Sequence, residues 1–365
     1  MKIAWISHRS GLAGAELSLL EGAAALVERG VEVDAVLPGP GPLAERLRVA
    51  GARVIVVPHA RWVGPDRRPG GIARRLARNA RSLRPLARAL RADVVVTNTI
   101  TAPLGAVAAR LAGIPHVWYL HEYGVAEHGI RFDFGRGPSL AAVRRLSRVV
   151  LVNSEALRAH FADLGPRVVH YAVDVPEREP TPLGEGPLRL VQLAALAPGK
   201  GQLDAVRALG ALRRRGVDAR LRLVGPDLGH GAAVREAARV AGAEDYVELA
   251  GFSDDPAGEL LAADVTLTCS RFEAFGRATV EAMKLGRPVI GAASGGTLEL
   301  VRDGWNGLLY PPGDADALAE RIERLERDRE LLRELGATAR AWATETFTRE
   351  RYAAGLLAAC EDARS

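Results

Sequence analysis

One pattern recurs along this 365-residue chain: a short apolar run, a loop with glycine or a polar cluster, then apolar side chains at helical spacing. It begins with residues 2–7, the loop 10–16, a helix from about 17 to 28 closed by Arg29-Gly30, and further runs at 31–37 and 53–57. Short runs that are apolar throughout are strands buried on both faces. Strands joined through helices lie parallel, with right-handed crossovers. The pattern continues through 93–98, a helix over 99–112 ended by Gly113-Ile114-Pro115, a strand at 116–121 and another at 149–153. Asn153 or Ser154 then caps a helix. Residues 176–187 carry four prolines and read as a linker. Beyond them the pattern restarts at 188–193 and repeats at 221–224, 247–250, 264–268 and 288–291. We therefore expect an α/β protein of two doubly wound, Rossmann-like domains facing a central cleft. The expected bounds are 1–175 and 176–345, with a terminal helix at 346–365.

Composition narrows the function classes. The two cysteines, Cys269 and Cys360, can build neither a disulfide framework nor a zinc site, so a reduced, cytoplasmic setting is expected. The first apolar run is too short for a signal peptide, and no stretch reaches the length of a membrane span. The net charge of +5 is uneven: residues 61–91 hold ten arginines against Asp66, which is +9, leaving −4 for the remainder. Within that segment Ile72, Leu76, Leu83, Leu86 and Leu90 have roughly helical spacing. The segment reads either as a solvated surface helix or as a docking face for an anionic membrane or a phosphate-bearing acceptor. Trp62 is its only aromatic residue, so nucleic acid is not an expected partner.

The sharpest chemical signal is Cys-Ser-Arg-Phe-Glu-Ala-Phe-Gly-Arg-Ala-Thr-Val-Glu-Ala-Met at 269–283. A strand precedes it, Phe275-Gly276 makes a tight turn, and Ala278, Val280, Ala282 and Met283 begin a helix. That order aims free backbone N–H groups at one point, a seat for phosphate. Glu273 lies in the loop and Glu281 in the helix, and a carboxylate can accept two hydrogen bonds from the diol of a sugar or ribose. Either glutamate alone reads equally as a cap or a solvated side chain. In the loop 194–202, Lys200 sits between two glycines at a helix start, suited to a diphosphate or simply to solvent. No Ser or Thr follows it as a Walker A loop requires. Gly295-Gly296 opens another helix and offers a further diphosphate contact.

In the first half, Gly11 and Gly14 lack the spacing of a dinucleotide fingerprint, which would use Asp34 for the ribose. His121 ends a strand where open α/β sheets bind ligands, or is a hydrogen-bonded structural residue. Glu122 is second to it and His8 a weaker neighbour. Residues 124–138 read as a loop that orders on acceptor binding, and 306–314 as turn-rich. Asp314-Ala315-Asp316 reads as a helix cap, not a metal site.

Together these motifs resemble those of the retaining glycosyltransferases of family 4, which have the GT-B fold. The likeness is carried by Glu273-Ala274-Phe275-Gly276 with Glu281 eight residues on, and by Ala13-Gly14-Ala15-Glu16 where the family has Gly-Gly-Ala-Glu. Lys200-Gly201, from the motif Gly-Arg-Leu-x-Pro-x-Lys-Gly, and Asn153-Ser154 extend it. The resemblance implies transfer of a sugar from a nucleotide-diphosphate sugar to an acceptor hydroxyl, lipid-linked or otherwise, with retention of configuration. It implies no covalent nucleophile, metal or cofactor. Lys200, the Gly276 helix start, Gly14 and Gly296 would hold the diphosphate; Glu281 the ribose; Glu273 a sugar hydroxyl; and Gly251-Phe252 the nucleobase through backbone. Phe275 would shape the turn, and His121 would contact the donor sugar and border the acceptor. The family's diphosphate arginine is Ala195 here, so the expectation is either that a nearby arginine, Arg271 or Arg277, replaces it or that the diphosphate is held more weakly. The last helix would cross back onto the first domain. Other readings are a GT-B epimerase of a free nucleotide sugar, a non-catalytic carbohydrate- or membrane-binding protein and, least favoured, a nicotinamide enzyme.

Overall fold

The computed structural model describes residues 1–63, 69–124, 131–178, 182 and 186–365. The chain divides into two compact units, Met1–Val173 with Phe347–Ser365, and Asp174–Thr346. In the first unit, strands β1 (Lys2–Ile6), β2 (Glu32–Leu37), β3 (Arg53–Val56), β4 (Val94–Asn98), β5 (His116–Leu120), β6 (Val149–Val152) and β7 (Arg167–Val168) form one sheet. Its order is β3-β2-β1-β4-β5-β6-β7, and every ladder is parallel. β4 and β5 are buried along their whole length, as expected of parallel strands covered on both faces. The helices are α1 (Gly14–Val27), α2 (Pro42–Val49), α3 (Pro69–Ala89), α4 (Leu104–Ala112), α5 (Arg136–Leu146) and α6 (Glu155–His160).

The second unit repeats the plan with β8 (Leu188–Leu193), β9 (Ala219–Val224), β10 (Val247–Gly251), β11 (Val265–Thr268), β12 (Val289–Ala292) and β13 (Leu308–Tyr310). The order is β10-β9-β8-β11-β12-β13, again parallel. Helices α7 (Gln202–Arg214), α8 (Gly231–Ala241), α9 (Pro256–Ala262), α10 (Arg277–Lys284), α11 (Thr297–Leu300), α12 (Ala315–Arg327) and α13 (Arg329–Thr346) cover it. The terminal helix α14 (Arg349–Arg364) belongs to the first unit, where Tyr352 Oη donates to the Ser18 carbonyl at 3.2 Å. In each sheet the strand order reverses once, at β1/β4 and at β8/β11, and ligands of such sheets bind at the carboxyl ends of the strands at that point.

Several elements depart from expectation for local reasons. α1 starts at Gly14, earlier than the apolar spacing suggested. α4 starts only at Leu104, because Thr99 has φ +101° and Pro103 sits before the first turn. Residues 124–138 include the start of α5, and 125–130 lie outside the described residues. The helices α2 and α8 are not among the elements expected from the sequence. The stretch 306–314 contributes the strand β13. Asp328 ends α12, and its carboxylate accepts from the Leu331 N–H at 2.9 Å to start α13, so two helices follow the Asp314 cap. Of the proline-rich segment, 179–181 and 183–185 lie outside the described residues, as do Arg67, Arg68 and Asp66 of the basic segment. Asp34 is buried in β2 between Lys2, 3.4 Å away, and Arg53, so it holds the sheet together rather than awaiting a ribose. Among the described residues no helix is long and apolar enough to cross a membrane.

Candidate functional site

The second unit assembles its site from the loops that leave β8 and β11. Gly201 has φ +73°, and a Cβ there would lie 2.0 Å from the Cys269 carbonyl oxygen, so only glycine lets the two loops meet. The Arg271 N–H donates to the Gly199 carbonyl at 2.9 Å across the same contact. Gln192 Nε2 donates to the Lys200 carbonyl at 2.6 Å, and Gln202 Nε2 to the Ala195 carbonyl at 2.9 Å. With its backbone pinned in this way, Lys200 places Nζ 3.3 Å from Glu273 Oε2, and the two side chains are only 23% and 16% exposed. Next along the chain Gly276, at φ +100°, turns the backbone into α10. The first residue of that helix, Arg277, places Nε 2.9 Å from Oε1 of Glu281, one turn on. Two cation–carboxylate pairs thus flank a helix N-terminus. An ammonium has three donors, so Lys200 can hold Glu273 and still present N–H to a second anion.

The same geometry revises some expected roles. The Gly296 N–H donates to the Glu273 carbonyl at 2.7 Å and α11 has one turn, so Gly296 positions the Glu273 loop instead of offering its amide to phosphate. Phe275 is a buried core side chain. Gly251 accepts from the Gly225 N–H at 2.7 Å and Phe252 is 70% exposed; both lie at the end of β10, two strands from β8. Arg277 is engaged with Glu281, whereas the half-exposed Arg271 guanidinium lies 3.7 Å from Asp204 in the loop tied to Gly199. Each of the two arginines thus has a carboxylate partner, the Arg271 contact being the longer and the more exposed. Asp314 caps α12, accepting from the Ala317 N–H at 2.9 Å.

In the first unit His121 is buried and both ring nitrogens are taken. Nε2 donates to Asn98 Oδ1 at 2.6 Å, and Nδ1 accepts from the Tyr171 hydroxyl. That hydroxyl in turn accepts from Asn153 Nδ2, while Asn98 Nδ2 donates to the Ala15 carbonyl at 2.8 Å. Burial lowers the imidazole to about 3. The ring thus ties β4, β5 and the start of α1 together, with both nitrogens held by protein partners. Ser154, not Asn153, caps α6, accepting from the Leu157 N–H. Gly14 is the first residue of α1, and a Cβ there would meet nothing within 4 Å, so no contact within the protein requires the glycine.

A buried polar group surrounds the ends of β1, β4 and β5; the sequence named Glu122, His8 and Glu16 separately but gave no sign that they meet. Glu122 accepts from Thr99 Oγ1 and from the His121 N–H at 3.1 Å, and burial raises its carboxyl to about 7. Glu16 is 1% exposed, 3.2 Å from His8 Nδ1, and burial raises it as well. Thr99 holds its positive φ through bonds from its N–H to the Tyr119 carbonyl and from Trp118 Nε1 to its own carbonyl, both 2.7 Å.

Comparison with known proteins decides the family. Residues 12–177 match the family described as Glycosyltransferase Family 4, and residues 176–342 match Glycosyl transferases group 1. The GDP-mannose-dependent alpha-(1-6)-phosphatidylinositol monomannoside mannosyltransferase of Mycobacterium tuberculosis (strain H37Rv) is 31% identical over 287 residues, covering 70% of this chain and 72% of that protein. The chain belongs to the family 4 glycosyltransferases. The N-acetyl-alpha-D-glucosaminyl L-malate synthase of Bacillus anthracis is 33% identical over 162 residues, 44% of this chain and 42% of that protein. The crystal structure of Anabaena HepE in complex with UDP and glucose matches with a TM-score of 0.81 and 24% identity over 99% of both chains. The fold of this glycosyltransferase is therefore GT-B.

The glycosyltransferase also carries a basic face on its first unit. α3 packs on α4 and α4 on α5, and none of the three contains an acidic residue. Arg74, Arg78, Arg81, Arg84 and Arg88 are exposed on α3 at steps of four, three, three and four residues, one continuous stripe. Arg75 is not part of it, since its guanidinium is bidentate to the buried carboxylate of Asp133.

Proposed function

We propose that this glycosyltransferase moves a sugar from a nucleoside-diphosphate sugar to an acceptor hydroxyl with retention of anomeric configuration. The observation that carries the reading is the Lys200–Glu273 pair, 3.3 Å apart beside the first turn of α10. As the bond from the anomeric carbon to the phosphate oxygen breaks, charge grows on the departing diphosphate. The Lys200 ammonium, the α10 N-terminus and Arg271 stabilise that charge. Glu273 accepts from donor-sugar hydroxyls and Glu281 from the ribose diol, each carboxylate already oriented by its own cation. The acceptor oxygen attacks from the face the diphosphate leaves, and a departing phosphate oxygen takes its proton. Configuration is kept, and neither a protein nucleophile nor a metal is needed. The GDP-mannose dependence of the mycobacterial relative and the UDP in HepE support a nucleoside diphosphate without choosing its base. NMR of reactions containing UDP-, GDP- and ADP-sugars tests the reading. One donor should yield a transferred sugar with its original anomeric configuration. An inverted product, or an altered nucleotide sugar with no acceptor glycosylated, overturns it.

We propose further that the α3–α5 face seats the enzyme on an anionic, cytoplasm-facing membrane that supplies a lipid-linked acceptor. The arginine stripe supports this, as do the exposed Leu76, Leu111 and Phe134 on or beside the same helices. At about 1 kcal/mol per arginine near such a surface, reversing Arg74, Arg78 and Arg81 to glutamate should weaken binding to phosphatidylglycerol vesicles by roughly 100-fold or more. Unchanged binding would leave the stripe as solvated surface.

A further inference from the structure

The segment between β3 and α3 crosses the carboxyl edge of the first sheet at its switch point, and it is pinned on both sides of Arg61. Before Arg61, His59 Nε2 lies 2.8 Å from the Ser7 carbonyl at the end of β1, and Ala60 exchanges bonds with the Asn79 side chain. After it, the Trp62 N–H donates to the Thr101 carbonyl at 3.0 Å, and Trp62 Nε1 to the Ile100 carbonyl at 2.7 Å, just past β4. Trp62 also stacks on Trp118 with ring centroids 5.8 Å apart. So rigid a mount holds a guanidinium that is half-buried yet makes no hydrogen bond or ion pair among the described residues. Arg9, on the loop after β1, is close enough to repel it and is likewise without a side-chain partner. Two unpartnered guanidiniums held near each other, one of them partly dry, repel unless an anion lies between them. The buried carboxyls beneath compensate only in part, since burial favours the neutral form of both Glu16 and Glu122. Beside Arg9 a cavity of about 480 Å³ opens between Ser10-Gly11 and the loop Pro38–Pro42, walled mostly by glycine and proline.

We propose that Arg61 and Arg9 form an oxyanion subsite, and that the acceptor carries a phosphate or carboxylate group held there. Guanidinium pairs suit both anions, which they bind through two parallel hydrogen bonds. The proposal rests on the glycosyltransferase reading for the word acceptor, but the subsite itself can be tested without turnover. Thermal shift and calorimetry with glycerol 1-phosphate, inorganic phosphate, malate and glycerol separate phosphate from carboxylate and anion from polyol. We expect one or more of the anions to bind and glycerol not to. Arg61→Gln should weaken anion binding at least tenfold, Arg61→Lys less, and the exposed Arg9→Gln measurably, while all three variants keep wild-type affinity for UDP or GDP. Anion binding that survives Arg61→Gln and Arg9→Gln together, or anions that bind no better than glycerol, would overturn the subsite. Loss of UDP and GDP binding by the wild type would instead count against the donor reading and leave the subsite measurements interpretable.

Discussion

Lys200→Ala is expected to lower kcat/KM by roughly 10²–10³-fold, the size of effect seen when one donor to a developing negative charge is removed. The ammonium sits 3.3 Å from Glu273 at the N-terminal end of α10, where the proposed reaction has it orient that carboxylate and stabilise the leaving diphosphate. Ground-state binding should report the same contact. Losing a charged hydrogen-bond partner costs about 1.5–3 kcal/mol, so affinity for UDP or GDP should fall more than tenfold while affinity for uridine or guanosine changes little. Equal losses for nucleotide and nucleoside would place Lys200 away from the phosphates. Folding should suffer little, because the pair is partly solvated and such pairs contribute about 1 kcal/mol or less. Circular dichroism and the melting temperature therefore separate loss of chemistry from loss of fold.

The second large effect is acid lability of the first unit. Burial holds His8, His116 and His121 neutral down to about 3. Unfolded, each takes a proton near 6.5, so below that pH the unfolded chain binds more protons and stability falls as pH falls. Glu122 works in the opposite sense. Its folded value near 7 lies above the unfolded one, so between about 7 and 4.5 the folded state holds the extra proton. His59 and His160, also lowered by burial, act with the three histidines, and Glu16, raised by burial, acts with Glu122. For the four of these groups shifted furthest the net difference is about two protons, on the order of 3 kcal/mol lost per pH unit between about pH 6 and 4.5. Across that window the loss is about 4 kcal/mol, a large share of total stabilities of about 5–15 kcal/mol, so the urea midpoint should fall steeply with pH. Urea titrations across pH check the slope. His116→Gln, which keeps polar atoms near Thr97 and Ser147, should reduce it by about 1.4 kcal/mol per unit. A flat profile from pH 7 to 5 would mean that these histidines titrate normally.

Both expectations depend on neighbours that are far apart in the chain, and they show where reading a sequence stops. Strand, glycine turn and helix are written in local spacing, so the segments around Lys200, Glu273 and Glu281 were legible as chemistry before any coordinates. The Gly276 turn was equally legible, because φ +100° is a position that almost any other residue would strain. His121 was placed at the right strand end, but its partners Asn98 and Tyr171 lie 23 and 50 residues away, and no local spacing shows the buried tie they make with it. Arg75 looked like one more cation in a basic run until Asp133, 58 residues on, was found to hold it.

The amino-acid order alone established two doubly wound halves, the family and the types of group that can grip a nucleotide sugar, because periodicity, turn residues and helix starts are set within a few positions. Tertiary structure decided which charges meet. The Lys200–Glu273 contact spans 73 residues and forms only because β8 and β11 are neighbours at the point where the sheet reverses direction. Likewise Arg61, without a hydrogen bond or ion pair among the described residues, owes its placement to the ends of β1 and β4 lying side by side, where Ser7, Ile100 and Thr101 pin its segment. Pairing, burial and the lack of a partner are properties of that packing, and no local spacing encodes them.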